Sequence, residues 1–233
     1  MGAVFERASQ LILGKDPYIG GILGTTMYMA VLSSLISFAI GSVLGMLIAN
    51  NRFKGKTVVR IILRTLMGLP PVVVGIVIYV LFSNTGPFRD LHLIYSVTLM
   101  IIAQVVLITP ICAGMTESSV TSTVELCKPT LKGLGFSPIK RFLLTLYECK
   151  YQLISVYLFA FARAISEVGA VQIVGGNILY KTRVMTTAIA LNYNTGDFAY
   201  AVALGIILLA IALAMNLVAG ILQLVARRGH DRA

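Results

Sequence analysis

Charged side chains are scarce in this sequence, and tryptophan is absent. Only 12% of the 233 residues are Asp, Glu, Lys or Arg, whereas soluble domains carry about a quarter. Several long segments hold no charge at all, among them 17–51, 65–88 and 198–226. A chain of this length cannot bury such segments in a soluble core, and each is long enough to cross the hydrocarbon core of a bilayer. The shortage of charge therefore predicts a polytopic membrane protein.

Side chains that perform catalysis or hold metals are equally sparse. Cys112, Cys127 and Cys149 have the spacing of neither a disulfide framework nor a zinc site, so we expect free thiols. His92 and His230 have no metal-ligand neighbours, and we find no nucleophile–base pair or paired carboxylates. The net charge of +10 would suggest nucleic acid in a soluble protein, but here the cations lie between apolar segments. The sequence predicts no enzyme, no metal site and no nucleic-acid partner.

The apolar segments predict an all-α transmembrane bundle that forms a single domain over residues 1–233. Residues 3–14 are expected to form a short amphipathic helix, because their apolar positions share one helical face. A further span within 171–199 is disfavoured by Lys181, Arg183 and Asp197. We expect five spans, which lie within Ile22–Ala49, within Leu66–Phe82, and at about Ile94–Gly114, Tyr151–Ala170 and Tyr200–Val225.

The distribution of Lys and Arg between the spans predicts their orientation. The connections after spans one and three and the C-terminal tail are rich in cations. The connection after span two holds only Arg89 beside Asp90, and the one after span four holds Lys181 and Arg183. Cation-rich loops remain in the cytoplasm. The N-terminus is therefore expected outside and the C-terminus in the cytoplasm, within a cell membrane.

The longest expected cytoplasmic segment is 115–150. Its apolar spacing predicts two short helices, with Val120 and Val124 on one face of the first and Phe142 and Leu146 on one face of the second. Two glycines and two prolines between residues 129 and 138 favour a bend. The segment is either a hairpin that packs on its own membrane domain or a docking element for a cytoplasmic partner. It is too short to be an ATPase.

Residues 125–148 resemble the cytoplasmic coupling loop of ABC importer permeases. The stretch Thr130–Ser137 is similar to the family's Ala-x-x-Leu-Gly-Ala-Ser, with Gly135 at the family glycine. Pro129 replaces the family glutamate, and Tyr147-Glu148 replaces Leu-Pro. In the family this loop inserts into a groove on the ATPase. The resemblance implies that the coupling residues are Glu125, Lys132, Gly133, Gly135, Phe136 and Arg141.

Further stretches resemble the molybdate, sulfate and tungstate permeases. These are Leu69–Gly75 with Phe82–Pro87, then Ala164–Ala170 and Gly175–Asn177. Three others are most similar to the tungstate subgroup: Lys15–Tyr18, Thr182–Ile189 and Thr195–Phe198. The resemblance implies the type I ABC importer fold and alternating access by a homodimer, with tungstate as the expected substrate and molybdate or sulfate as alternatives. It also implies partner ATPase subunits that bind ATP–Mg, an external tungstate-binding protein, and no cofactor on this chain.

The fourth span carries charges. Tyr151–Ala162 is too short to cross the bilayer, so we expect the helix to continue through Arg163 and Glu167, which are four apart and can pair. They form either a structural ion pair or a site where Arg163 attracts the anion and Glu167 holds Arg163. The residues that follow form either a broken segment at the pore or an ordinary turn, and the resemblance favours a gate there: Gly169, Gly175, Gly176 and Asn177.

Three other classes of protein remain as rivals. An ion-coupled carrier or channel would leave 115–150 without a docking function. A membrane-embedded enzyme needs catalytic side chains clustered at one depth, and none appear in the sequence. A structural assembly subunit would show no dependence of transport on Arg163 or Gly135.

Overall fold

A computed structural model describes residues 2–13, 17–51 and 53–230, and every regular element within these ranges is helical. The all-α class is therefore confirmed. Lys15 and Asp16, which belong to one of the motifs quoted above, lie outside the described residues. A 3₁₀ turn at Arg89–Leu91 accompanies the α-helices, which are α1 Gly2–Leu13, α2 Pro17–Asn50, α3 Lys56–Met67, α4 Pro71–Phe82, α5 Val97–Gly133, α6 Pro138–Glu148, α7 Lys150–Ile165, α8 Gly169–Gly175, α9 Met185–Thr195 and α10 Phe198–His230.

Three of the described helices are long and apolar enough to cross a membrane: α2, α5 and α10. Two bent pairs, α3 with α4 and α7 with α8, raise the number to five if each pair counts as one span. The five predicted spans correspond to these three helices and two pairs. The predicted N-terminal amphipathic helix is α1, whose Ala8 is fully buried and whose Leu11 packs against α2, α9 and α10.

The second span departs from the prediction. We expected a span within Leu66–Phe82, preceded by a basic loop, but the chain turns by 91° between α3 and α4. Pro70 has an extended backbone (φ −64°, ψ 123°) and Pro71 occupies the first turn of α4. A residue before proline is pushed out of the helical region, and proline is favoured at a helix start. The supposed basic loop is therefore largely the helix α3.

The segment after span three also differs from the prediction. Residues 115–133 do not form a separate short helix, because α5 runs without interruption for 37 residues and includes Pro110 and Pro129. The bend expected over 129–138 is confined to residues 134–137, between α5 and α6. At about 1.5 Å per residue, α5 is about 55 Å long and exceeds the roughly 30 Å hydrocarbon core.

The α2–α5 contact at the centre of the bundle depends on two glycines of a G-x-x-x-G motif. A Cβ atom built on Gly41 would lie 2.4 Å from the Cβ of Cys112, and one on Gly45 would lie 2.5 Å from the carbonyl oxygen of Ala113. Only glycine permits two helix backbones to approach this closely, as in other membrane helix pairs. Around this contact, the main apolar core joins α2, α4, α5, α7 and α8.

Gly45→Ala is expected to lower stability by about 1–3 kcal/mol, because the added methyl group must push α5 away. This corresponds to a fall of several degrees in the thermal midpoint of the detergent-solubilised protein. Gly24→Ala is the matched control, since a Cβ at Gly24 on the same helix meets nothing within 4 Å. Equal midpoints for the two variants would contradict the close packing of α2 on α5.

Candidate translocation gate and coupling segment

The fourth span is broken rather than continuous. Helix α7 ends at Ile165, and α8 begins at Gly169 after a bend of 55°. The expectation of one helix over Tyr151–Ala170 is therefore wrong, because Ser166–Val168 end one helix before the next begins. A helix end leaves backbone carbonyl and amide groups without helical partners, and nearby side chains supply them here.

Glu167 lies in this break and connects three helices. Its Oε2 is 2.6 Å from Nη1 of Arg163, so the predicted ion pair is present. Its Oε1 accepts the backbone N–H of Ala170 (3.2 Å), and its carbonyl oxygen accepts the hydroxyl of Thr186 in α9 (2.9 Å). The Glu167 side chain is 4% exposed and that of Arg163 is 29% exposed. A buried carboxylate is tolerated when it is paired and hydrogen-bonded, and this one meets both conditions.

A buried amide that the sequence analysis did not single out supports the other side of the break. The Nε2 of Gln104 in α5 donates to the carbonyl oxygen of Ala164 (2.8 Å), which belongs to the last turn of α7. Its Oε1 accepts the hydroxyl of Ser33 in α2 (2.5 Å). Both polar side chains are fully buried. An amide in the middle of an uncharged span is a signal that would have found this site, since polar groups are costly in lipid.

Helix α8 lies directly on the first turns of α4. A Cβ atom on Gly169 would lie 2.8 Å from Cγ2 of Val72, and one on Gly75 would lie 2.8 Å from the Cα of Ala170. The absence of side chains at both glycines lets the two short helices touch through their backbones. The broken fourth span and the broken second span therefore pack against each other at their breaks.

The C-terminal end of α8 is held by the loop that precedes α5. Gly175 lies against the thioether of Met100, where a Cβ would come within 2.7 Å of its sulfur. Gly176 has φ +69° and lies under the ring of Tyr95, whose N–H donates to the carbonyl oxygen of Val174 (3.1 Å). The Tyr95 and Tyr79 hydroxyls are 3.3 Å apart, and this hydrogen bond raises the pKa of Tyr95 above its ordinary value.

Asn177 follows in the left-handed region with φ +51°. Arg183 fixes it, because Nε donates to Oδ1 of Asn177 (3.2 Å) and Nη2 donates to its carbonyl oxygen (3.2 Å). The same guanidinium donates to the hydroxyl of Tyr18 in α2. Among the described residues other than glycine, positive φ values occur only at His92, Tyr95, Asn177 and Tyr180, in the two loops beside α8. Such strained conformations cluster at functional sites.

The structure brings all six predicted gate residues together in one region around α8. Arg163 and Glu167 lie at its start, Gly169 is its first residue, and Gly175, Gly176 and Asn177 end it. The predicted coupling residues divide into two groups. Lys132, Gly133, Gly135 and Phe136 surround the break between α5 and α6, whereas Glu125 and Arg141 lie within the helices on either side.

The backbone at the break has a defined turn. Gly135 has φ +71°, and its N–H donates to the carbonyl oxygen of Lys132 (3.1 Å). Ser137 then caps α6, accepting the N–H of Lys140 (3.4 Å), and Pro138 occupies the first turn. The Lys140 ammonium lies 4.5 Å from the ring centroid of Phe136. The left-handed residue is the one that reverses the chain, and glycine is the residue that adopts it without strain.

Arg141 faces inward from the break. It lines a cavity of about 130 Å³ with Lys128 and the C-terminal end of α2, and its Nε is buried without a hydrogen-bond partner among the described residues. The Lys128 ammonium donates to the carbonyl oxygen of Asn50. Cations commonly interact with the last carbonyls of a helix. These two residues therefore contact α2, and the outer surface of the break is formed by others.

Apolar side chains remain exposed on both sides of the break. Leu126, Leu134 and Ile139 are 78%, 63% and 75% exposed. Helix α6 does not bury all of its apolar side chains. Phe142 and Leu146 pack against the cluster of α2, α5 and α7, whereas Ile139 does not. A hairpin that packed only on its own membrane domain would bury these residues.

The three cysteines are free thiols, as expected. Cys112 and Cys149 are fully buried and Cys127 is partly exposed. Burial raises the pKa of Cys149 to about 11, so its thiol stays neutral at pH 8. We expect a maleimide at pH 8 to label Cys127 alone in the folded protein and all three thiols in SDS, because only the thiolate reacts. Mass spectrometry of the labelled peptides checks this, and rapid labelling of Cys149 without SDS would contradict its burial.

A helical bundle with two broken spans in contact and a long helix that ends in an exposed break is the architecture of a membrane transport subunit. The chain belongs to the family described as binding-protein-dependent transport system inner membrane component, whose profile matches residues 41–228. It is a multi-pass inner-membrane permease component and not itself an enzyme.

Three relatives align with most of the chain. The tungstate uptake system permease protein of Peptoclostridium acidaminophilum is 37% identical over 219 residues, which are 94% of this chain and 96% of the relative. The protein of the same description from Campylobacter jejuni is 33% identical over 214 residues, 92% of this chain and 90% of the relative. A probable anion ABC transporter permease protein of Haloferax volcanii is 34% identical over 204 residues, 85% and 88% of the two chains.

Proposed function

We propose that two copies of this chain form the transmembrane path of an ATP-driven importer for tungstate. The observation that carries the proposal is the 37% identity to a tungstate uptake permease over 94% of the chain. Family membership supports import that depends on an external binding protein. An external tungstate-binding protein delivers the anion, and partner ATPase subunits bind ATP–Mg. This chain binds no cofactor.

Residues 115–150 are the segment that docks on the ATPase in this proposal. The exposed apolar side chains Leu126, Leu134 and Ile139 support docking, because their surface has no cover within the described chain. Lys132, Gly133, Gly135 and Phe136 form the contact region, flanked by Glu125 and Arg141. The segment is cytoplasmic, the C-terminus is on the same side and the N-terminus is outside, as the distribution of Lys and Arg favours.

The region around α8 is the gate of the path. Arg163 supplies positive potential to the passing anion through its exposed side, while Glu167 and Gln104 hold the broken helix ends. The partial exposure of Arg163 beside a nearly buried Glu167 supports this division of roles. A weak field suits transport better than a tight site, because a tightly bound anion would not be released. Closure of the ATPase pair moves the coupling segments together and opens the path outward, and hydrolysis resets it.

The test is tungstate uptake by proteoliposomes that contain this chain, its ATPase and its binding protein. We expect uptake that requires ATP and that molybdate and sulfate inhibit only weakly. Uptake of molybdate or sulfate in place of tungstate would correct the substrate and keep the mechanism. Uptake that does not require the ATPase would refute the proposal in favour of an ion-coupled carrier or channel.

A further inference from the structure

Helix α3 has its apolar side outward. Val58, Ile61 and Ile62 are 58%, 59% and 51% exposed, and their spacing puts them on one helical face. No residue of α3 is fully buried. A surface helix of a soluble protein turns such a face toward the core. The arrangement here is the reverse, so the medium next to this face is not water.

The opposite face of α3 carries cations toward the protein. Arg60 donates through Nε to Oε1 of Glu117 in α5 (2.7 Å), and Glu117 is nearly buried. The Lys56 ammonium donates to the carbonyl oxygens of Ala49 and Asn51 (3.1 and 3.2 Å) at the end of α2. These contacts fix the rotation of α3 about its axis and keep its apolar face outward.

The position of α3 identifies the medium. Residues 68–70 join it to α4, and the two helices make an angle of 91°. If α4 enters the bilayer along the membrane normal, α3 lies along the membrane surface with a length of about 18 Å. Exposed cations flank it at both ends, Lys54 before the helix and Arg64 in its last turn. An apolar face flanked by cations is the pattern of a helix that lies in a membrane interface.

We propose that α3 is an interfacial helix that recognises anionic phospholipids. Val58, Ile61 and Ile62 enter the acyl region of the leaflet, and Lys54 and Arg64 contact the phosphate groups. Anionic lipids attract cations near a membrane surface, so charge complementarity favours lipid over a second copy of this basic chain, which would bring the same cations into contact. The Arg60–Glu117 pair joins this helix to α5, so a lipid bound at α3 supports the helix that carries the coupling break.

The absence of native tryptophan makes the test direct, because Ile62→Trp introduces the only tryptophan of the chain. We expect blue-shifted emission in nanodiscs of phosphatidylcholine with brominated acyl chains, and strong quenching by the bromine atoms. Addition of phosphatidylglycerol should increase the quenching, whereas inorganic phosphate should not. The increase should disappear when Lys54→Gln and Arg64→Gln are combined with Ile62→Trp. Leu126→Trp is the control at a position that is 78% exposed, expected to emit at longer wavelength without quenching.

Three results would overturn the proposal. Red-shifted, unquenched emission from Ile62→Trp would mean that the face contacts water. Blue-shifted emission without quenching would mean that a second copy or another protein covers it. Equal quenching with and without phosphatidylglycerol would exclude recognition of anionic lipid. Ile61→Trp provides a second probe on the same face if the first variant fails to fold.

Discussion

Gly135→Pro is expected to abolish ATP-driven uptake and the stimulation of the ATPase by the binding protein, with normal insertion of the chain. Gly135 has φ +71°, whereas the proline ring fixes φ near −65°. The turn between α5 and α6 cannot form with proline at this position, so the exposed surface around Leu134 and Ile139 changes shape. We expect a loss of at least about a hundredfold in transport, because a misplacement of about 1 Å in a working site can have an effect of this size.

Two further variants separate the shape of the turn from the mere loss of glycine. Gly135→Ala must hold a left-handed backbone at a cost of about 1–2 kcal/mol, so we expect an intermediate loss of coupling. Gly24→Ala is the matched control, because it lies in α2 outside the proposed contact region, a Cβ there meets nothing within 4 Å and its backbone does not have positive φ. If all three variants transport tungstate equally well, the break is not the coupling element.

The Arg163–Glu167 pair has the second large expected effect. Glu167→Gln leaves the Arg163 charge without its partner. We expect the free energy of unfolding to fall by about 1–3 kcal/mol, because a buried polar group becomes unsatisfied. Combining Arg163→Gln with Glu167→Gln removes both charges, and the two amides can still hydrogen-bond. The double variant should recover most of the thermal stability, while tungstate uptake should remain reduced by about tenfold or more, because the positive potential at the gate is gone.

Recovery of uptake together with stability in the double variant would assign both residues a purely structural role. Thermal midpoints and initial uptake rates are measured on the same proteoliposome preparations. Arg89→Gln controls for the general loss of a cation, because the Arg89–Asp90 ion pair is exposed on both sides and contributes little. We expect this control to match the parent chain in both measurements.

The number and order of spans could be predicted from sequence, because a chain of this length can shield such long uncharged segments from water only in a bilayer. The breaks within the second and fourth spans were harder to predict than the spans themselves. Pro71 begins α4, and the basic residues before it, which form α3, were predicted to lie in a loop. The helical spacing of Val58, Ile61 and Ile62 is present in the sequence, but the cations among them were interpreted only as a sign of membrane topology.

The residues proposed for the gate could be selected from the sequence, but the contacts that hold them could not. Arg163 and Glu167 stood out as charges in a span, and their spacing predicted the ion pair. Gln104, Ser33 and Thr186 are distant in sequence from the break they support, so the sequence marks the buried amide but does not show which helix end it holds. Likewise Pro129 suggested an end to α5, but the left-handed Gly135 is the residue that ends it. Local propensity yields to tertiary contacts at such positions.

The uninterrupted length of α5 gives the molecule a mechanical lever. Near the start of α5, Met100 touches Gly175 and Gln104 holds the break of the fourth span, and the far end of the helix is Gly133. About 50 Å of helix separates Met100 from Gly133. A tilt of about 10° therefore moves one end by about 9 Å relative to the other. A stiff rod of this length converts a small rotation beside the broken fourth span into a large displacement at the break between α5 and α6.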